Sequence, residues 1–408
     1  MGAEAATAHF LHPLRAFGHR NYSLFFSGQI ISLTGTWLQS VALSWLVYDL
    51  TNSKRLLGIV SAIGSVPVLV LTLFAGVVAD RICKRNVLVA TQTCLALLAL
   101  TLAILVKTGV VTIYHIVALG FLLGAVQAFD VPTRQSFVVE MVGKDDLPNA
   151  IALNSATFNS ARILGPAVAG IVIAQMGMAG AFFVNSASYI PVIIALMFMA
   201  VRPVARIKRA DMAQQLKEGF RFIRGHRMVT GLLILAGAVS IFAMPYAILM
   251  PVFARDVLKA GPKGMGYLVS SIGAGALIGA AMLSILGNVK WKGKLLLAGN
   301  ITACAMLVFF SFSRTLPLSM ALLVGVGWGM MTNMALTNTL IQTHVPDELR
   351  GRVLSVYVLM FMGMAPLGSF QAGMIAEWLG APWAVCIGAF ACASAAIILS
   401  PRFIKTKQ

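Results

Sequence analysis

Two charged side chains, Asp130 and Arg162, stand inside apolar stretches of this chain, and Arg134 stands just past the end of one. Asp130 falls toward the inner end of its stretch. Burial in lipid disfavours an ionised carboxylate, so such a group takes up a proton readily and Asp130 is a candidate proton carrier. Arg134 follows one helical turn later and can instead hold the carboxylate ionised as a structural pair. Arg162 falls about thirteen residues into its own stretch, roughly 20 Å deep at 1.5 Å per residue. A charge there costs about 2.5–3.5 kcal/mol or more unless it meets a wet cavity or a carboxylate. It could bind an anionic substrate or pair with a protonatable acid, or it could brace Asn and Ser neighbours and helix ends. All these readings stay open on the sequence.

Other chemistries lack their residues. There is no GxGxxG followed by an acid and no P-loop lysine motif, and the six histidines are scattered. Cys83, Cys94, Cys304, Cys386 and Cys392 form no CxxC or Cys/His metal spacing. No enzyme, metal site or cofactor is expected.

The elements that carry these residues are membrane spans. Hydrophobic residues make up 59% of the 408, charged residues only 11%, and mean hydropathy is +0.88. A soluble domain carries roughly 25% charged residues, so this surface must face something apolar. About twenty apolar residues cross the hydrocarbon as a helix, and runs of that kind fall near 24–48, 56–79, 86–106, 113–133, 149–175, 180–201, 229–253, 264–287, 294–312, 316–342, 353–376 and 381–401. The expected fold is all-α and membrane-embedded, with twelve transmembrane helices in two six-helix bundles, 1–201 and 229–408. A linker, 202–228, joins them. In it Met212, Leu216, Phe220 and Ile223 recur at helical spacing, which suggests an amphipathic helix at the membrane surface or a solvated connector.

The net charge of +18 sits in short basic clusters between the apolar runs, which is how topology is written and not how nucleic acid is bound. With the N-terminus inside, 23 basic residues fall on the cytoplasmic side and 7 on the other, Arg162 lying within a span. Both termini are therefore expected in the cytoplasm, with the first span acting as its own targeting signal in a bacterial inner membrane. Membrane lipids are the expected partners, and a monomer is the expected state.

The chain also repeats itself. Asp145-Asp146-Leu147 opens a helix that reaches Gly165-Pro166 and Gly170. Asp347-Glu348-Leu349 opens one that reaches Pro366, Gly368 and Gly373. Leu147 and Leu349 occupy matching places in the order of spans, and the acids sit where a helix dipole favours them. Two repeated halves are a common device of secondary transporters.

With these spans, Gly76-Val77-Val78-Ala79-Asp80-Arg81-Ile82-Cys83-Lys84-Arg85 resembles the loop signature G-x-x-x-D-R-x-G-R-R/K of the major facilitator superfamily, departing from it at Cys83. Phe129-Asp130-Val131-Pro132-Thr133-Arg134-Gln135 and Val345 to Val353 are similar to the branch holding enterobactin exporters and macrolide efflux pumps. So are Asn154 and the run Phe158 to Arg162. Gly165, Pro166 and Gly170 resemble the span-five signature of antiporters, with Ala161 and Ala169 where glycines are usual.

The resemblance implies a gating latch of Gly76, Asp80, Arg81, Arg85, Arg350 and Arg352, in which Asp80 caps the N-terminus of span eleven. It implies a cavity lined by spans one, four, seven and ten. Candidates there are Gln29, Trp37, Gln39, Gln127, Tyr246, Asn333 and Asn338, joined by Asn154 and Asn159, while some of these polar residues could equally be glue between helices. The expected function is export of a drug-like or siderophore-like small molecule, driven by the proton gradient. Uptake or facilitated diffusion of a small metabolite is the alternative.

Overall fold

The computed structural model describes residues 15–143, 145–199, 221–287 and 291–404, without the side chains of 72–81 and 347–348. Most of the proposed linker helix lies outside these residues; 221–225 is helical. In lipid the backbone must satisfy its own hydrogen bonds, and a helix does this within one segment.

Eleven of the described helical runs are long and apolar enough to cross a membrane. One of them, Leu147–Met197, has 51 residues, about 76 Å at 1.5 Å per residue and more than twice a hydrocarbon core of about 30 Å. It breaks at Gly177, where φ is 72° and ψ is −178°. Glycine enters that region without a Cβ penalty. The break divides this run into two spans, which makes twelve among the described residues.

We number them α1 (Arg20–Thr51), α2 (Lys54–Arg81), α3 (Lys84–Lys107), α4 (Ile113–Val142), α5 (147–176) and α6 (178–197) in the first half. The second half holds α7 (Arg227–Val257), α8 (Gly261–Leu286), α9 (Lys292–Phe312), α10 (Leu316–His344), α11 (347–379) and α12 (Ala381–Leu399). Two spans are irregular. α7 loosens into a π turn at Val239–Ala243 and tightens into a 3-10 turn at Met244–Leu249, where Pro245 and Pro251 remove backbone donors. α11 is interrupted at Met364, just before Pro366.

An even number of spans brings both termini to one end of the bundle, here the terminal end; the other is the distal end. Within the first half α1 packs along the α5–α6 run and α2 along α4. In the second, α10 packs on α8 and α9. Between the halves, α2 meets α11 and α5 meets α8, two seams related by the repeat. Both are drawn tight by glycine. A Cβ on Gly58 would strike the Ser369 carbonyl, and one on Gly266 would strike that of Pro166. Large apolar side chains point outward, with Ile285, Trp378 and Ile398 more than 70% exposed, as a lipid-facing surface requires.

Candidate functional site

A cavity of about 540 Å³ lies inside the first half, in the range of pockets that hold drug-sized ligands. Its wall comes from α1 to α6, apart from Ala247 and Ile248 of α7. α1 supplies an alternating polar and apolar face, including Ser32, Thr36, Trp37, Gln39 and Ser40. The Trp37 ring meets Phe158 of α5 edge-on at 5.8 Å between centroids.

Asp130 lies in this wall and is 3% exposed. Its Oδ1 accepts hydrogen bonds from Thr91 Oγ1 and Gln92 Nε2, each at 2.8 Å. Its Oδ2 faces Arg134 at 3.6 Å, beyond hydrogen-bond length. Ser32 reaches Gln92 in turn at 3.5 Å. The carboxylate is thus held by α3 and only loosely paired with its own helix. A second network sits above it: Asn185 donates to Gln39 at 2.5 Å, and Tyr189 shares a 3.3 Å contact with Thr36. These partners from α3 and α6 were not among the sequence candidates. Their only signal is a polar Thr91-Gln92 pair and an Asn185, Ser188, Tyr189 stripe inside otherwise apolar spans.

Of the candidate cavity residues, Trp37, Gln39 and Gln127 line the space. The others lie outside its wall, each for a local reason. Gln29 is buried one turn before Ser32, and neither of its amide atoms has a partner among the described residues. Asn154 accepts from Tyr22 at 3.3 Å, and Asn159 donates to the Ser155 carbonyl at 2.8 Å. Tyr246 is buried in the irregular part of α7. Asn333 is buried within the second half, and Asn338 accepts from Gln342 on its own helix. Of the four spans expected to line it, one and four supply much of this wall, seven supplies Ala247 and Ile248, and ten supplies none.

The antiporter-like segment is a packing device here. A Cβ on Gly165 would strike Trp37 of α1, and one on Gly170 would press on Lys263 of α8. Pro166 sits between them, buried. Small residues let α5 touch both neighbours at once.

The side chains of Gly76, Asp80 and Arg81 lie outside those described. Arg85 donates to the Met199 carbonyl at 3.0 Å, inside the first half. Arg350 donates to the Gln342 carbonyl at 3.2 Å, inside the second. In this conformation neither of these two bonds crosses between the halves; Arg352 makes an interaction of its own.

The distal end carries a different contact. Glu377 of α11 accepts from the backbone N–H of Lys54 and Arg55, at 2.9 and 3.1 Å, and so caps the N-terminus of α2. Arg255 of α7 lies 4.4 Å over the Tyr48 ring and 3.6 Å from Asp49, and it donates to Asn52. Tyr48 donates to Asp256. Further in, Ser61 meets Ser369 at 3.2 Å and Ser270 donates to Ile163 at 2.8 Å. These cross-contacts all lie in the distal half, so the bundle is sealed on that side of the cavity.

Two repeated six-helix halves, with a polar and aromatic cavity in the first, define a membrane transporter of the major facilitator class. The chain belongs to the transmembrane secretion effector family, which matches residues 11–407. It is 26% identical to the multidrug efflux pump Tap of Mycolicibacterium fortuitum, over 85% of this chain and 87% of that protein. It is 25% identical to the staphyloferrin A transporter of Staphylococcus aureus, over 87% and 89%, and 25% to the enterobactin exporter EntS of Shigella boydii, over 87% and 86%. Among solved structures, a bacterial homologue of the lysosomal transporter Spinster superposes with a TM-score of 0.76 at 13% identity, covering 95% of this chain and 98% of that one. The nucleoside transporter NupG gives 0.74 at 15%, covering 95% and 99%.

Proposed function

We propose that this protein exports a small organic molecule across a bacterial inner membrane by alternating access, using the proton gradient. The observation that carries the reading is the cavity, polar and aromatic at once and sealed on the distal side. The excess of basic residues at the terminal end favours the cytoplasm for that end and both termini. On that orientation the distal contacts close the outer side, and the cavity would load from inside. Trp37 and Phe158 offer an aromatic surface, while Gln39, Gln127, Ser40 and Ser65 offer hydrogen bonds, a mixture suited to a partly apolar ligand. The export direction is supported by relatives named for drug efflux and for siderophore transport and export. Asp130 is the proposed coupling carboxylate, because protonation would release Thr91, Gln92 and Arg134 together. Asp80 remains the proposed partner of span eleven in the opposite state, with lipid around a monomer throughout.

Everted membrane vesicles test this. Energised by respiration, they should accumulate a fluorescent substrate in a protonophore-sensitive way, and Asp130→Asn should remove the gradient dependence. Right-side-out vesicles that accumulate the substrate instead would establish uptake.

A further inference from the structure

Arg162 lies at the midpoint of α5, half-buried, where α5, α7 and α8 meet. Its backbone carbonyl stands against Gly273 of α8, and its charge acts on the buried hydroxyl of Tyr246. One turn earlier on the same helix, Phe158 forms part of the cavity wall; the two residues after Tyr246 form the wall opposite. Arg162 is not itself part of that wall; it stands one turn from it, at the junction between the halves.

Its guanidinium makes no hydrogen bond or ion pair with any described residue. The Asn and Ser bracing considered from sequence does not form, since Asn159 bonds to Ser155 instead. The described carboxylates of the spans have other partners. Asp130 has Thr91, Gln92 and Arg134, Glu140 has Lys84, Asp256 has Tyr48 and Arg255, and Glu377 has the start of α2. Arg134 also lines the cavity. Arg162 thus carries a mid-membrane charge with no counter-ion among the described residues, a placement that is costly until an anion arrives.

We propose that Arg162 is the charge-recognition residue of this cavity and that the transported compounds are amphipathic organic anions. The body lies on the Trp37–Phe158 pair. A carboxylate or comparable oxyanion takes the guanidinium fork, whose planar donors match two oxygens at once. This rests on the transport reading of the cavity and narrows it to a charge class.

The test is binding of two dyes of similar size, anionic carboxyfluorescein and cationic rhodamine 6G. Purified protein is held in phosphatidylcholine nanodiscs, and fluorescence polarisation is read at physiological salt. The wild type should bind the anion at least about tenfold more tightly than the cation, the size of one charge-assisted contact. Arg162→Gln should erase that preference and leave rhodamine 6G binding unchanged or tighter, with its melting temperature checked in parallel. Arg162→Lys, which keeps charge and loses the fork, should retain part of the preference. The wild-type comparison stands even if Arg162→Gln fails to fold. Equal binding of both dyes, a cation preference, or an Arg162→Gln protein that still selects the anion would overturn the assignment and leave the export reading intact. Binding of neither dye would overturn the assignment and also remove the support this cavity gives to the export reading.

Discussion

The two halves repeat one backbone plan and place their polar residues in opposite ways. In the first half, side chains of α1, α3, α4 and α6 converge on a space, and the amides and hydroxyls there bond to one another across helices. In the second half the matching helices close on themselves. Gly275 and Gly327 let α8 and α10 approach until a Cβ on either would strike a facing carbonyl, and Gly329 does the same against Gly299 of α9. Thr332, Asn333 and Thr337 of α10 are buried there with atoms that find no partner among the described residues. A repeat fixes where helices run, because backbone satisfaction in lipid is the same problem twice. It does not fix where a cavity opens, because that depends on side-chain volume at each contact.

The largest effect should come from forcing the second half apart. Gly275→Val puts branched carbons against the Val324 carbonyl of α10 and should cost about 3 kcal/mol, read as a severalfold loss of monodisperse protein in detergent. Gly120→Ala on the cavity side meets open space and should leave yield unchanged. Equal losses would erase the contrast between the halves.

Next comes the polar half itself. Asp130→Asn keeps an oxygen acceptor for Thr91 and Gln92, so the fold should survive while substrate transport in everted vesicles drops at least about tenfold, in line with losing a proton-transfer group. Asn333→Leu in the other half should leave transport within about twofold. Loss of transport in the leucine variant, with normal yield, would mean that α10 lines the pathway in another state.

The distal seal joins the halves and should respond more modestly. Glu377→Gln keeps an oxygen acceptor but removes the charge at the N-terminus of α2, which is worth about 0.3–1 kcal/mol. The outward-facing population should rise by about twofold to fivefold. Single-molecule energy transfer between labels at Val110→Cys and Arg314→Cys, in a background with Cys83 and Cys94 changed to Ser, reads this as a longer distal distance. An unchanged distance distribution would assign the seal to the apolar seams alone.

The smallest effect is expected at Thr337→Val. Its hydroxyl is buried without a partner among the described residues, and replacing such a group by an apolar one of like shape is neutral or stabilising. Melting temperature should stay level or rise slightly, with transport unchanged. A clear destabilisation would reveal a bonded water in the second half.

Particular residues mark how far the sequence could be read. The start of α5 at Leu147, the matching start of α11 at Asp347 and the division at Gly177 follow from acids, glycine and run length. The carboxylate with its Arg134 neighbour was also visible, as an i, i+4 pair. Thr91 and Gln92 were not, since nothing in α3 says that its polar edge turns toward α4. Glu377 and Arg255 read only as loop charges, although each meets a partner more than 200 residues away.

The sequence by itself determined the spans, their repetition and the charge bias across the membrane. These are local quantities, set by transfer of each segment into hydrocarbon and by the basic residues beside it. Only the tertiary structure decided that this cavity lies in the first half, that the antiporter-like glycines are contact points, and that Arg162 meets no counter-ion among the described residues. A span apolar on every side carries little record of which face meets which helix. The partners that settle it lie on other spans, so the decision is made only when the helices pack.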